Sequence, residues 1–403
     1  MTASLLWAAL VCVAADGAAT PVGFEYHDLA EHAGRSLMHY RAIEFFAQPV
    51  QPLSGEFAPT PGAKYGQVPV GPVPETALGV VWIPEAAEGP TLWFDANGDG
   101  RLTASDERHV MTTKDLEIQA TITVDREPAA KQVLRTLLFR RTMLGSGLRY
   151  AVRGYAAGSL DLSGVAHAAL LVDGNANGCL DSVGQDRVWI DLNQDGQFDG
   201  LLEQFPLGKP VHYEGQVYVV RSDALATAVA ANVRRPGEGQ LRLTVAESLL
   251  GKDKRVTKFS AQLVSDLGEF VVVDKLDEPI PVSHGSYRLS ALQLQMVAAD
   301  SEPWDYAFAY RTEKNFAVPP GQETVVPVLS RLVMEVTFNV ADNRVRPAET
   351  VIVRPQVNAD DTLYLSSCTV GEGDRARSSE STAEILLLSP TGQTVSRGLS
   401  GFS

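Results

Sequence analysis

Cysteine is scarce: the 403 residues hold three, Cys12, Cys179 and Cys368, too few for the disulfide framework on which small secreted domains depend. Positive charge is also short. Lys and Arg number 34 against 49 Asp and Glu, a net charge of −15, which argues against nucleic acid and anionic membrane as partners. No segment has the length and apolarity of a transmembrane helix. The seven histidines show no H-E-x-x-H or other metal spacing. There is no G-x-S-x-G elbow, no G-x-x-x-x-G-K-[ST] phosphate loop and no G-x-G-x-x-G turn. Paired carboxylates of the glycosidase kind are defined by distance in space, so the sequence leaves them open.

What is present is a globular composition, 45% hydrophobic and 21% charged, in a chain long enough for two or three domains. It starts with an apolar stretch, Leu5–Ala15, of signal-peptide length. Val13-Ala14-Ala15 sets small residues at the −3 and −1 positions, so residues 1–15 are expected to be a signal peptide cut before Asp16, although no Lys or Arg precedes them. Export to the periplasm, cell surface or extracellular space follows as an expectation. Cys179 and Cys368 then remain, and are expected to stay unpaired because they fall in different expected domains.

Residues 16–76 read as an N-terminal segment. Leu29, Ala33, Leu37 and Phe45 give helical spacing over Tyr26–Gln48, and the Pro/Gly-rich stretch Pro49–Pro74 reads as an irregular linker. From residue 77 the signal is mostly β. Leu116, Ile118, Ala120, Ile122 and Val124 alternate as a half-buried strand should. Glu214-Gly215 reads as a two-residue hairpin turn, and Ser222–Val233 fits a short helix or a strand equally. Residues 77–249 form one expected β domain. In residues 254–403, short strands recur at Lys258–Val264, Glu269–Val273, Tyr287–Leu294, Thr324–Val328, Leu332–Val340 and Glu384–Leu388. Between them lie turn clusters such as His284-Gly285-Ser286 and Asn358-Ala359-Asp360-Asp361, a rhythm that predicts a β-sandwich.

One pattern occurs three times: an apolar strand, then D-x-N-x-[DN]-G-x-[apolar]. Loop 1 runs Asp95, Asn97, Asp99, Gly100, Arg101, Leu102; loop 2 runs Asp173, Asn175, Asn177, Gly178, Cys179, Leu180; loop 3 runs Asp191, Asn193, Asp195, Gly196, Gln197, Phe198. Side-chain oxygens at positions 1, 3 and 5 converge when the chain curls, and the glycine at 6 permits the turn. The main-chain carbonyl at 7 (Arg101, Cys179, Gln197) adds a ligand, and the apolar residue at 8 anchors the loop. A late acid completes such a site: Asp106 or Glu107 in loop 1, Asp181 or Asp186 in loop 2, Asp199 or Glu203 in loop 3. Hard oxygen donors in this order suit Ca2+, and asparagine at position 3 points to weak, extracellular-range affinity. Asn-Gly and Asp-Gly pairs also build plain hairpins; three loops sharing five positions favour metal. Loops 1 and 2 align without a gap and both reach an acid-Arg pair, Glu107-Arg108 and Asp186-Arg187, whose arginine is expected at the outer face of a ligating carboxylate or in a surface ion pair.

The three loops resemble EF-hand, dockerin and thrombospondin type 3 calcium loops over about a dozen residues each, but strands rather than helices flank them. The order Gly154–Leu162, loop 2, Arg187–Ile190, loop 3, Phe205–Lys209 is similar to exported bacterial proteins with paired Asp-Asn-Asp-Gly loops, a resemblance that implies export and calcium and brings no activity. Gly285-Ser286-Tyr287 resembles the strand start of transthyretin-like and immunoglobulin-like modules, which implies a sandwich of that type for 254–403. The expected function is a calcium-binding structural or binding module of the envelope or extracellular space, with an envelope protein or a polysaccharide as partner. The rival is an envelope enzyme with structural calcium, carbohydrate being one candidate substrate class.

Overall fold

The computed structural model describes residues 20–400 except 29–36, 50–53, 56–60, 73–75, 104–106, 126–130, 143–146, 235–236, 247–253, 299–300, 339–352, 372–376, 379–382 and 390. The expected signal peptide, residues 1–15, lies outside the described residues. Among those described, the chain is all β, with several open sheets and no barrel. No described helix is long and apolar enough to cross a membrane.

Alternation places one face of each strand in a core. In Asp115–Asp125, Ile118, Ala120, Ile122 and Val124 are buried, as a period of two requires. Its antiparallel partner Lys131–Arg141 sets Leu137 opposite Ile118 and Phe139 opposite Leu116. These strands share a core with a second sheet, ordered Phe45–Phe46, Lys64–Val70, Thr76–Ile83, Thr91–Phe94, Arg108–Val110, which contributes Val68, Val80, Trp82, Leu92 and Phe94. Each such side chain, fully buried, stabilises the fold by roughly 1.5–3 kcal/mol.

A third sheet is ordered Glu25–His27, Tyr155–Leu162, Val165–Val172, Arg187–Ile190, Gln204–Pro206, antiparallel throughout. Its Leu171, Ile190 and Phe205 pack against Val211, Tyr218 and Val220 of the next hairpin. That hairpin joins Pro210–Tyr213 to Gln216–Arg221 through Glu214 and Gly215, at φ 47 and 74, the left-handed pair that a type I′ turn demands.

Both hairpin strands belong to a twelve-stranded sheet that continues through Phe270–Val273, Lys254–Ser265, Gly285–Ala298, Trp304–Tyr310 and Leu363–Val370. Val211 pairs in parallel with Phe270, so hydrogen bonding runs across residues 249–254, between the two expected domains. Gly239–Val245 pairs with Ile280–Val282 and Glu323–Val328, and this small sheet shares a third core with the large one through Leu241, Leu243, Phe259, Leu292, Phe308 and Val328.

Some local expectations change. The helix expected over Tyr26–Gln48 is replaced in its described part by Glu25–His27, Arg41–Ala42 and Phe45–Phe46, each paired to a distant strand. Pro49–Pro74 is no mere linker, because Lys64–Val70 is a core strand with Val68 and Val70 buried. Its Pro69 is tolerated because Phe45–Phe46 pairs only with Tyr65 and Gly66, and no described strand pairs with Pro69 on that edge. Ser222–Val233 resolves into turns and the strand Ala230–Arg234. The strand Gly285–Ala298 begins at Gly285, as the resemblance of Gly285-Ser286-Tyr287 to a strand start implies, so the turn cluster expected at His284-Gly285-Ser286 is cut short.

Candidate metal centre

Each loop bridges two adjacent antiparallel strands. Loop 1 joins Thr91–Phe94 to Arg108–Val110, loop 2 joins Val165–Val172 to Arg187–Ile190, and loop 3 joins that strand to Gln204–Pro206. Loops 2 and 3 therefore leave opposite ends of Arg187–Ile190.

The three are conformational copies. Position 6 is left-handed in all, with Gly100 at φ 75, Gly178 at 82 and Gly196 at 79, which is why glycine stands there. Position 4 is left-handed too, although two of its residues are not glycine: Gly98 at 75, Ala176 at 59 and Gln194 at 59. The curl turns backbone amides onto the carboxylate at position 1. Asp95 accepts from Asp99 and Gly100 at 3.1 and 3.0 Å, Asp173 from Asn177 and Gly178 at 3.2 and 2.6 Å, and Asp191 from Asp195 and Gly196 at 3.2 and 3.0 Å. Asn97, Asn175 and Asn193 accept from the amide two residues on, and Asp99, Asn177 and Asp195 from Arg101, Cys179 and Gln197. Leu102 and Leu180 are buried anchors, and Phe198 is half-buried.

The buried late acids are Glu107, Asp186 and Glu203, and each directly precedes the next strand. One backbone hydrogen bond reaching four residues back is common to all three: their amides donate to the Thr103, Ser182 and Asp199 carbonyls at 3.1, 2.9 and 3.0 Å. Each carboxylate then takes amides from its own loop, Thr103 for Glu107, Gly174 and Ser182 for Asp186, and Leu192, Asn193 and Asp199 for Glu203. Asp199 instead accepts from Leu201 and Leu202, capping its turn. Asp181 is half-buried beside loop 2, and Asp106 lies outside the described residues. The sequence offers each of these acids as one of two candidates, whereas position 4, held by Gly98, Ala176 and Gln194, carries no common residue that marks its left-handed turn.

In loop 1 one oxygen each of Asp95, Asp99 and Glu107 lie within 4.8 Å of one another, the one such group of three among the described residues. Glu107 is 2% exposed and its Oε1 is buried without a hydrogen-bond partner. Burial pushes the Asp95 and Glu107 carboxyls above the ordinary range, and the charges of neighbouring acids add to it. Burial raises Asp173 to about 6, and burial with the Asp173 charge raises Asp186 to about 8. Glu203 rises to about 7, chiefly by burial. Crowded, desolvated carboxylates served by backbone amides are a donor set for a hard cation, since only a cation removes their repulsion without a proton.

Loop 2 differs in its surroundings. Ala176 and Cys179 belong to the first core, and the Asn175 and Gly178 carbonyls accept from Arg41 and Arg135 at 3.5 and 3.4 Å. Asn97, Asp99, Asn193 and Asp195 face solvent. The arginines after the late acids bond elsewhere than to their carboxylates: Arg108 pairs with Glu88 at 2.6 Å, and Arg187 donates to the backbone carbonyls of Gly184, Gln185 and Asp186. Cys179 and Cys368 are free, and burial lifts the Cys179 thiol to about 12, which makes it a poor nucleophile. Comparison with protein-family models, with curated proteins and with solved structures returned no match.

Proposed function

We propose that the chain is an exported binding or structural module whose strand-flanked loops hold calcium. The observation that carries the reading is the convergence of one carboxylate oxygen each from Asp95, Asp99 and the buried Glu107 within 4.8 Å of one another. An all-oxygen set with several carboxylates suits calcium, and the asparagines at position 3 keep the affinity at the extracellular end of its range. Loop 3 repeats the hydrogen bonding of loop 1 and is the second site; loop 2, enclosed by core and arginine, is the weakest. A bound ion would neutralise carboxylates that otherwise oppose the folded loops. Export is supported by Leu5–Ala15. The third core, closed between a large and a small sheet, supports a sandwich of immunoglobulin-like or transthyretin-like type that residues 254–403 build together with Gly239–Val245.

The test is calorimetric titration of chelator-treated protein with calcium chloride. Two sites are expected, one lost in Asp95→Ala and the other in Asp191→Ala, with magnesium a poor substitute because it demands a tighter octahedral shell. Absence of calcium heat in the unaltered protein would overturn the reading.

A further inference from the structure

A cleft of about 1280 Å³ opens between loop 3 and one face of the twelve-stranded sheet. Strand register builds its floor. Lys258, Gln295 and Asp305 stand in one row across three neighbouring strands, and Ser260, Gln293 and, beyond Ala307, Ser367 stand in the next. Residues two apart share a face, and the intervening Phe259 and Leu294 lie in the third core, so both rows face away from it. The floor is a lattice of amides and hydroxyls with one lysine and one aspartate of offsetting charge. It is also held in place. Gln295 is buried and bonded to Thr257 at 2.8 Å and to Asp305 at 3.2 Å, while Gln293 donates to Asp199 in the opposite wall. That wall presents Asn193 and Asp195, and Glu214 and Asp274 also line the cleft.

We propose that this cleft binds a neutral, hydroxyl-rich polymer, a glycan chain. Mixed donors and acceptors on strands roughly 4.8 Å apart can address successive hydroxyls along such a chain. The floor gives an anionic polymer only Lys258 to pair with, offset by Asp305 in the same row, and the acidic lining repels it. The proposal rests on the reading of the chain as a binding module and supplies its ligand class.

The test is native electrophoresis of the full chain, in calcium, through gels cast with β-glucan, galactomannan or xylan, with dextran sulfate and polylysine as charged controls. At least one neutral polysaccharide is expected to retard the protein. Ser367→Trp, at an exposed position on the floor, should weaken that binding at least tenfold without lowering the melting temperature, and Lys258→Ala should weaken it less. No retardation by any neutral polysaccharide, retardation by a charged polymer alone, or Ser367→Trp binding like the unaltered chain would each overturn the proposal. Melting with and without calcium, run on the same proteins, separates the two readings. Lost glycan binding with an intact calcium response locates the ligand in the cleft. Retained glycan binding without a calcium response supports the cleft and removes calcium.

Discussion

The side-chain amide of Gln262, on the strand Lys254–Ser265, donates to the carbonyl oxygen of Leu202 at 3.2 Å. Gln293, on the neighbouring strand, donates to the carboxylate of Asp199. Both acceptors sit in the single turn that delivers Glu203 to loop 3. Loop 3 is thereby fastened to a sheet formed by residues far along the chain. His167 and Tyr213 hold the same loop from behind, through the carbonyls of Asp191 and Leu192 at 2.8 and 2.9 Å.

That fastening predicts an energetic coupling. Gln293→Ala and Asp199→Ala, combined in a double-mutant cycle, should show an interaction energy of about 1.5–3 kcal/mol, the range for a hydrogen bond to a charged group. Denaturant unfolding in calcium measures it. Strictly additive effects would mean that the two side chains do not meet in solution.

The response to pH in chelator has a defined sign. Asp173, Asp186 and Glu203 are raised to about 6, 8 and 7, so the folded state holds protons that the unfolded chain has released. Their contribution to stability is full below their unfolded values, near pH 4, and is lost as pH rises through roughly 6 to 8. Metal-free protein should therefore melt lower at pH 8 than at pH 5. Saturating calcium should flatten or reverse that trend, because the ion replaces the protons. A metal-free melting temperature that climbs from pH 5 to pH 8 would contradict the buried, unpaired state of these carboxylates.

The early half of each loop was legible because its ligand-type residues are contiguous: Asp95, Asn97 and Asp99 need only one curl to converge. The late acid was ambiguous, since Asp181 and Asp186, or Asp199 and Glu203, are both acidic and near. What decides is where the strand restarts, at Arg108, Arg187 and Gln204, and that depends on pairing with Thr91–Phe94, Val165–Val172 and Arg187–Ile190. Long strands with a clean period of two, such as Asp115–Asp125, were readable for the same local reason. Lys64–Val70 was hidden by Pro69 and the Pro/Gly-rich sequence around it, and Arg41–Ala42 by a helical spacing that pairing with Arg149 and Tyr150 overrides. The cleft was invisible, because its rows come from the register of four strands spread over more than a hundred residues.

Glu107→Gln should separate metal binding from folding. Without metal, the amide removes a buried charge beside Asp95 and Asp99, so melting in chelator should stay level or rise. With free calcium at ten to a hundred times the dissociation constant, a site contributes about 1.4–2.7 kcal/mol, and that gain should vanish for loop 1. Asp106→Asn, the neighbouring acid, should keep it. The readout is the difference in melting temperature with and without calcium; an unchanged difference in Glu107→Gln, or a lost one in Asp106→Asn, would transfer the role to Asp106.

The last prediction isolates the backbone of loop 3. Gly196 sits at φ 79, and a methyl group added there meets no atom within 4 Å. Gly196→Ala therefore creates no clash with a neighbour, and its cost is the left-handed conformation alone, about 1–2 kcal/mol. Gln194, two residues earlier, is a non-glycine residue already in that region at φ 59. Gln194→Gly should relieve the same strain, partly offset by added freedom in the unfolded chain and by the loss of its 3.3 Å bond to Ala166, for a net change within about 1 kcal/mol. The two substitutions thus differ in expected size at neighbouring exposed positions, and Gly196→Ala should also weaken calcium binding because the amide of residue 196 donates to Asp191 at 3.0 Å. Urea unfolding and calcium titration of both variants check this. Equal stability of Gly196→Ala and the unaltered protein would show that loop 3 does not take the curl on which its site depends.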